Sequence, residues 1–206
     1  MNFLLDYLFP RDKAAEELYA LSPAELLLRL PRSTHEGPVI TLFEYAYPLT
    51  KDLIWEIKYK GSQELAKRVG VVLYDTLVSE LEEEHFGTGK VLLLPMPMSD
   101  KRRLERGWNQ AELLAEALNM CDNAGRFEYL RNALEKVRHT ESQTIAGSRA
   151  ERLLNLKDSM AARDVVLGRT CVVVDDVSTT GATFAEAKRA LALARARKVI
   201  CLAIAH

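Results

Sequence analysis

Asp175 and Asp176 are adjacent carboxylates, and Ser178, Thr179, Thr180, Gly181, Ala182 and Thr183 follow within a few positions. Neighbouring carboxylates can accept hydrogen bonds from the vicinal hydroxyls of a ribose. Thr179, Thr180 and Thr183 add hydroxyl donors, and Gly181 lets the backbone approach a ligand closely. A helix starting just beyond them would offer unpaired N–H groups and a partial positive charge to a phosphate. A 5-phosphorylated ribose carries both complements, a diol for the acids and a phosphate for the helix end. An ordinary strand-to-helix turn also uses acids and threonines as caps. Capping alone does not call for two acids and a full Thr-Thr-Gly turn together. Rival phosphate sites fail on spacing: the chain has no G-x-x-x-x-G-K-[ST] and no G-x-G-x-x-G, and Gly87-Thr88-Gly89 matches neither.

Two further segments carry more polarity than solubility requires. Pro95 to Gln110 holds Lys101, Arg102, Arg103 and Arg106, four cations within six positions, followed by Gly107 and Asn109. Arginine takes a pyrophosphate by bidentate contact, and Gly107 with a following helix start adds backbone donors. The second segment, Lys136 to Gln143, contains Arg138 and His139 and is followed by Arg149, Arg152 and Asn155. With little apolar content at its centre it reads as a mobile loop, on which Arg138 can neutralise charge as pyrophosphate departs. His139 carries little weight, since a lone loop histidine is more often simply exposed.

Hydrophobic periodicity supplies the elements that would position these groups. Strands are expected at Val39 to Tyr47, Val91 to Leu94, Phe127 to Leu130, Thr170 to Val174 and Lys198 to Ala205. Helices are expected at Phe3 to Phe9, Ala14 to Leu21, Ala24 to Leu30 (Ser22 as N-cap, Pro23 at its first position), Thr50 to Tyr59 ending at Gly61, Gln63 to Glu84, Trp108 to Met120 and Phe184 to Arg195. From Lys90 onward strands alternate with helices, which implies an α/β, doubly wound, mostly parallel sheet with ligands at the carboxyl ends of its strands. The acidic pair and the basic segment both follow strands and so share that edge. Residues 1–38 read as a small helical lobe and 39–206 as the main domain.

The bulk numbers narrow the class. A chain of 206 residues buries one substantial core. Lys plus Arg total 28 against 29 Asp plus Glu, a net charge of −1, which argues against a surface built wholly for nucleic acid. No apolar run approaches the ~20 residues that span a membrane. The start, Met-Asn-Phe-Leu-Leu-Asp, lacks the basic region of a signal peptide. Cys121, Cys171 and Cys201 are odd in number and scattered, reading as buried free thiols of a reducing, cytoplasmic compartment.

Taken together these residues resemble the ComF/GntX family, type I phosphoribosyltransferase-like proteins linked to DNA uptake and competence in bacteria. Ile57-Lys58-Tyr59-Lys60-Gly61 carries the resemblance first, then Pro95-Met96-Pro97 with Arg106-Gly107-Trp108-Asn109-Gln110. Arg138-His139-Thr140 with Gln143, Arg149 and Asn155, and finally Asp175 to Thr183, complete it in the family's order over residues 40–206. The resemblance implies a type I phosphoribosyltransferase fold, with the N-terminal lobe contributing to a hood. It implies 5-phosphoribosyl 1-pyrophosphate (PRPP) as substrate, with ribose and 5-phosphate on Asp175, Asp176 and Ser178 to Thr183. Pyrophosphate would lie on Arg102, Arg103, Arg106, Gly107 and Asn109, and Arg138, Asp175 and Asp176 would serve catalysis. Mg²⁺ would be held mainly by PRPP itself, in keeping with that ion's use of few protein ligands. The acceptor would be a nitrogen base, and DNA-uptake proteins would be partners. The paired cysteines of the family's usual N-terminal zinc ribbon have no counterpart before Cys121, and no zinc-spaced ligand set appears. A PRPP-binding regulatory or competence protein acting through protein or DNA partners is the alternative the same residues allow. A homodimer is the commonest soluble assembly; a membrane partner is not expected.

Overall fold

The computed structural model describes residues 13–35, 37–83, 89–137 and 156–206; the helix expected at Phe3 to Phe9 and the positions Arg138 to Asn155 lie outside them. Its strands are β1 (Ile40–Phe43), β2 (Val91–Pro95), β3 (Phe127–Tyr129), β4 (Leu134–Lys136), β5 (Met160–Ala162), β6 (Thr170–Val177) and β7 (Lys198–Ala205). Five of them form one sheet in the order β1-β7-β6-β2-β3, with every neighbouring pair parallel. β4 and β5 form a separate antiparallel pair.

Strands apolar on both faces need cover on both faces, and the helices supply it. Cys171 and Val173 of β6 pack with Phe184, Ala187 and Leu191 of one helix, Ala182–Leu193. Val172 and Val174 turn the other way, into a core shared with Leu53 and Ile57 of Pro48–Lys60, Leu65 and Leu73 of Gln63–Glu83, and Leu114 and Leu118 of Gln110–Met120. Leu18 and Leu26, from Lys13–Ala20 and Pro23–Arg29, join that same core. In chain order, including a short helix Asp100–Arg106, these are α1 (Lys13–Ala20), α2 (Pro23–Arg29), α3 (Pro48–Lys60), α4 (Gln63–Glu83), α5 (Asp100–Arg106), α6 (Gln110–Met120) and α7 (Ala182–Leu193). The α/β, doubly wound expectation therefore holds.

Local chemistry sets the helix ends. Ser22 and Glu25 close a reciprocal capping box at α2 with Pro23 at its first turn. α3 ends at Gly61, whose φ of 64° is left-handed. From β2 the chain moves outward to β3 on one side, and from β6 to β7 on the other. The direction of winding reverses between β2 and β6, and a crevice at their carboxyl ends is the place such sheets bind ligands.

Several elements differ from expectation. The strand expected over Val39 to Tyr47 is shorter, because Pro48 starts α3 soon after Phe43. β6 does not stop at Val174: parallel pairing with β7 carries both acids and Val177 into the sheet. The basic segment contains a helix, α5, and the β4–β5 pair appears where no strands were expected.

Candidate functional site

Asp175 pairs with Ala203 and Val177 with Ala205, and the Ser178 N–H donates to the Ala205 carbonyl at 2.9 Å. The chain then leaves the sheet through Thr179 and Thr180. Thr180 Oγ1 accepts from the Ala182 N–H at 3.4 Å, and Gly181 precedes α7 with φ 73°. That left-handed value favours glycine. No heavy atom would lie within 4 Å of a Cβ at Gly181, so the space over the turn is open. Thr179 is exposed, Thr180 and Thr183 half-buried, and the Ser178 and Ala182 side chains buried. A cavity of about 510 Å³ borders this turn, with Ser178, Thr179, Thr180 and Gly181 in its wall.

The acids are fixed by their own backbone. Asp175 Oδ1 accepts from the Asp176 N–H at 2.9 Å, and Asp176 Oδ1 from the Val177 N–H at 3.0 Å. Asp176 is 4% exposed. Its Oδ2 is buried with no hydrogen bond of good geometry, and Lys58 Nζ meets its charge as an ion pair at 2.9 Å. Burial opposes the charge on Lys58, but Asp176, with Asp175 behind it, outweighs this and holds the ammonium above its ordinary value. Burial, reinforced by the Asp176 carboxylate, pushes the Asp175 carboxyl well above the usual aspartate range. A carboxyl that binds its proton more tightly folded than unfolded contributes stability at low pH and loses it as pH rises. The chain should therefore lose stability as pH climbs from near 3.8 through the raised Asp175 value. Asp175→Asn should flatten that decline in thermal unfolding measured against pH, and an unchanged decline would refute the assignment.

Beyond the carboxyl end of β2, the strand beside β6, α5 carries the basic residues. Arg102 is exposed, and its charge, after burial, lowers the Lys136 ammonium. Two of the expected pyrophosphate contacts already have protein partners in this structure. Arg103 is committed to the buried Glu112, which Arg131 also reaches at 2.7 Å. Asn109 is 2% exposed and both ends of its amide are occupied: Nδ2 donates to the Met96 carbonyl at 3.0 Å, and Oδ1 accepts from the Ala111 N–H at 3.0 Å. It caps α6 and anchors the chain after β2, so its part is positional. Arg106 lies over the Tyr59 ring at 4.8 Å and donates to Gln110 Oε1 at 3.1 Å. Gly107, with φ 84°, ends α5. A cavity of about 540 Å³ lies against this segment, with Pro97, Asp100, Arg103, Arg131 and Lys136 among its walls. Arg138 lies outside the described residues.

Lys58 and Lys60 flank Tyr59 in the chain, and the structure gives them different partners. Lys60 pairs with Glu56 at 3.3 Å, away from the acids, while Lys58 reaches Asp176. Trp108 fixes this end of α3: its Nε1 donates to the Lys58 carbonyl at 3.2 Å, and its ring covers Gly61, where a Cβ would come within 2.9 Å. Lys58 thus joins the acidic strand end to the loop after α5. Among the described residues no three His, Cys, Asp or Glu side chains gather as a metal site, and no helix is long and apolar enough to cross a membrane. Cys171 and Cys201 are buried free thiols, pushed by burial to about 11 and about 12; Cys121 is half-buried.

No protein-family model matches the chain. It is 32% identical over 151 residues to the DNA utilization protein YhgH of Escherichia coli (strain K12), covering 72% of this chain and 63% of that protein. It is 29% identical to the competence protein ComFC of Bacillus subtilis (strain 168), covering 81% of this chain and 59% of that one. The chain thus spans less than two thirds of these relatives. Among solved structures it is similar to the hypoxanthine-guanine phosphoribosyltransferase of L. donovani, at 13% identity, 68% of this chain, 67% of that one and a TM-score of 0.43.

Proposed function

The chain belongs to the ComF family, and from that membership, with β2 and β6 ending side by side at one sheet edge, we propose that it binds PRPP and transfers the phosphoribosyl group to a nitrogen base. The observation carrying the proposal is the acidic pair at the end of β6, followed by an open, left-handed Gly181, beside the parallel strand β2 whose carboxyl end leads into the basic helix α5. Ribose hydroxyls would lie on Asp175 and Asp176, and the 5-phosphate on the Thr179–Thr183 backbone and hydroxyls. The diphosphate would face α5, with Arg102 and Arg106 as its cationic donors and Arg103 and Asn109 holding the segment in place. Mg²⁺ would come in with the ligand, held mainly by diphosphate and ribose oxygens, in keeping with that ion's use of few protein ligands. Mg²⁺ would neutralise diphosphate charge there. As the C1–O bond to pyrophosphate breaks, the ribose gains oxocarbenium character, which the carboxylates stabilise while the base attacks C1. Position and charge complementarity supply the rate. The 1–38 segment would form part of the hood over the base.

Titration calorimetry with Mg²⁺-PRPP tests the binding half; no heat above the dilution blank would remove it. Arg138 is the proposed group that meets charge leaving with pyrophosphate. Arg138→Ala should lower turnover by about a hundredfold while leaving PRPP affinity within a few-fold. Equal losses in both would reject that role. The names of the relatives favour a second reading, a PRPP-binding protein acting with partners in DNA handling. Wild-type chain that binds PRPP but never turns it over with any base would select it.

A further inference from the structure

Lys58 belongs to neither phosphate loop, yet it stands between them. Its ammonium lies 2.9 Å from Asp176 Oδ2, and its carbonyl is tied to Trp108 at the foot of the basic helix. Asp176 Oδ1 and Asp175 Oδ1 are already spent on backbone N–H groups. The buried Oδ2 is therefore an acceptor that a ligand hydroxyl must take from Lys58. A displaced ammonium needs a new anion, and Lys58 lies on the end of α3 that meets Trp108 and, through Tyr59, Arg106, where a diphosphate on the basic segment would supply one. A neutral diol would take the carboxylate and leave the lysine unpaired, which is costly for a half-buried charge. A diol that also carries a diphosphate supplies the replacement partner.

We infer that Lys58 is the internal counter-ion of the acidic pair and a specificity-determining residue, exchanging Asp176 for the ligand's diphosphate and so selecting diphosphorylated ribose over ribose 5-phosphate. The ligand part rests on the PRPP reading above. The groups facing this exchange among the described residues are Asp175 and Asp176 from β6 and Lys58 and Tyr59 from α3.

The test compares Mg²⁺-PRPP with ribose 5-phosphate by calorimetry on wild type, Lys58→Met and Lys58→Arg, alongside carbon NMR titration of ¹³C-labelled aspartate carboxyls. Lys58→Met should lower the preference for PRPP by about tenfold or more with ribose 5-phosphate bound at least as well as before, and Lys58→Arg should keep most of the preference. Loss of both ligands in parallel, or of neither, overturns the selectivity. Removing a cation beside a carboxylate raises its titration, so the Asp175 resonance should titrate higher in Lys58→Met. An unmoved resonance overturns the counter-ion role whatever the ligands do. Wild type that binds neither ligand would dismiss the PRPP reading and the selectivity resting on it, while the titration would still decide the counter-ion.

Discussion

Replacing Asp175 and Asp176 together by asparagine should weaken Mg²⁺-PRPP binding by about a hundredfold while the chain remains folded. Each carboxylate offers a charge-assisted hydrogen bond to a ribose hydroxyl, about 1.5–3 kcal/mol apiece, and ~1.4 kcal/mol corresponds to a tenfold change in affinity. The fold should survive for a reason visible in the strand. The ladder of β6 against β7 is made by backbone groups, and asparagine oxygens can still accept from the N–H groups of Asp176 and Val177. Asparagine also relieves the crowding of charge that raises the Asp175 carboxyl. Lys58 loses its charged partner, a cost to stability that leaves the backbone ladder of β6 and β7 intact. Calorimetry beside thermal unfolding checks both halves, and an affinity within a few-fold of wild type would sink the ribose assignment.

Gly181→Ala should act on the other end of the ligand. At φ 73° an alanine suffers the left-handed clash of Cβ with the following carbonyl, roughly 1–2 kcal/mol. For a chain of this size that shifts the melting temperature by only a few degrees, at about 2–4 °C per kcal/mol. The larger effect is local. The Cβ would project into the open space above the turn, where the 5-phosphate is proposed to sit. We expect affinity for ribose 5-phosphate and PRPP to fall together by about tenfold or more, a pattern distinct from that of Lys58→Met. Retained affinity with lowered stability would mean the glycine serves the turn alone.

Much of this arrangement was legible before the structure because it depends on local chemistry. Ser22-Pro23 with Glu25, Gly61 after a lysine-rich helix end, and the apolar runs at Val91 and Lys198 each state their element within a few residues. What escaped depends on distant partners. Acids disfavour strands, so Asp175 and Asp176 read as the turn itself, yet the backbone of β7 pairs with them regardless of their side chains. Four closely spaced cations read as a pyrophosphate-binding loop, although a serine before Asp100 and a left-handed Gly107 bound a short helix. β4 and β5 are three-residue strands separated by a long stretch of chain, too short for periodicity to reveal. In the site, Lys58 and Lys60 lie two residues apart, hence on different sides of α3. Only the packing of Trp108 on Gly61 decides which side meets the acids. Asn109 reads as a polar ligand in sequence because nothing local announces that the Met96 carbonyl will claim it.

The most direct measurement is a phosphorus NMR time course of Mg²⁺-PRPP with near-stoichiometric protein and a pool of nucleobases. The account predicts protein-dependent loss of the PRPP signals, with pyrophosphate and a new 5-phosphate monoester appearing together only when the pool is present. PRPP resonances that stay sharp and unconverted, with and without the bases, would contradict it.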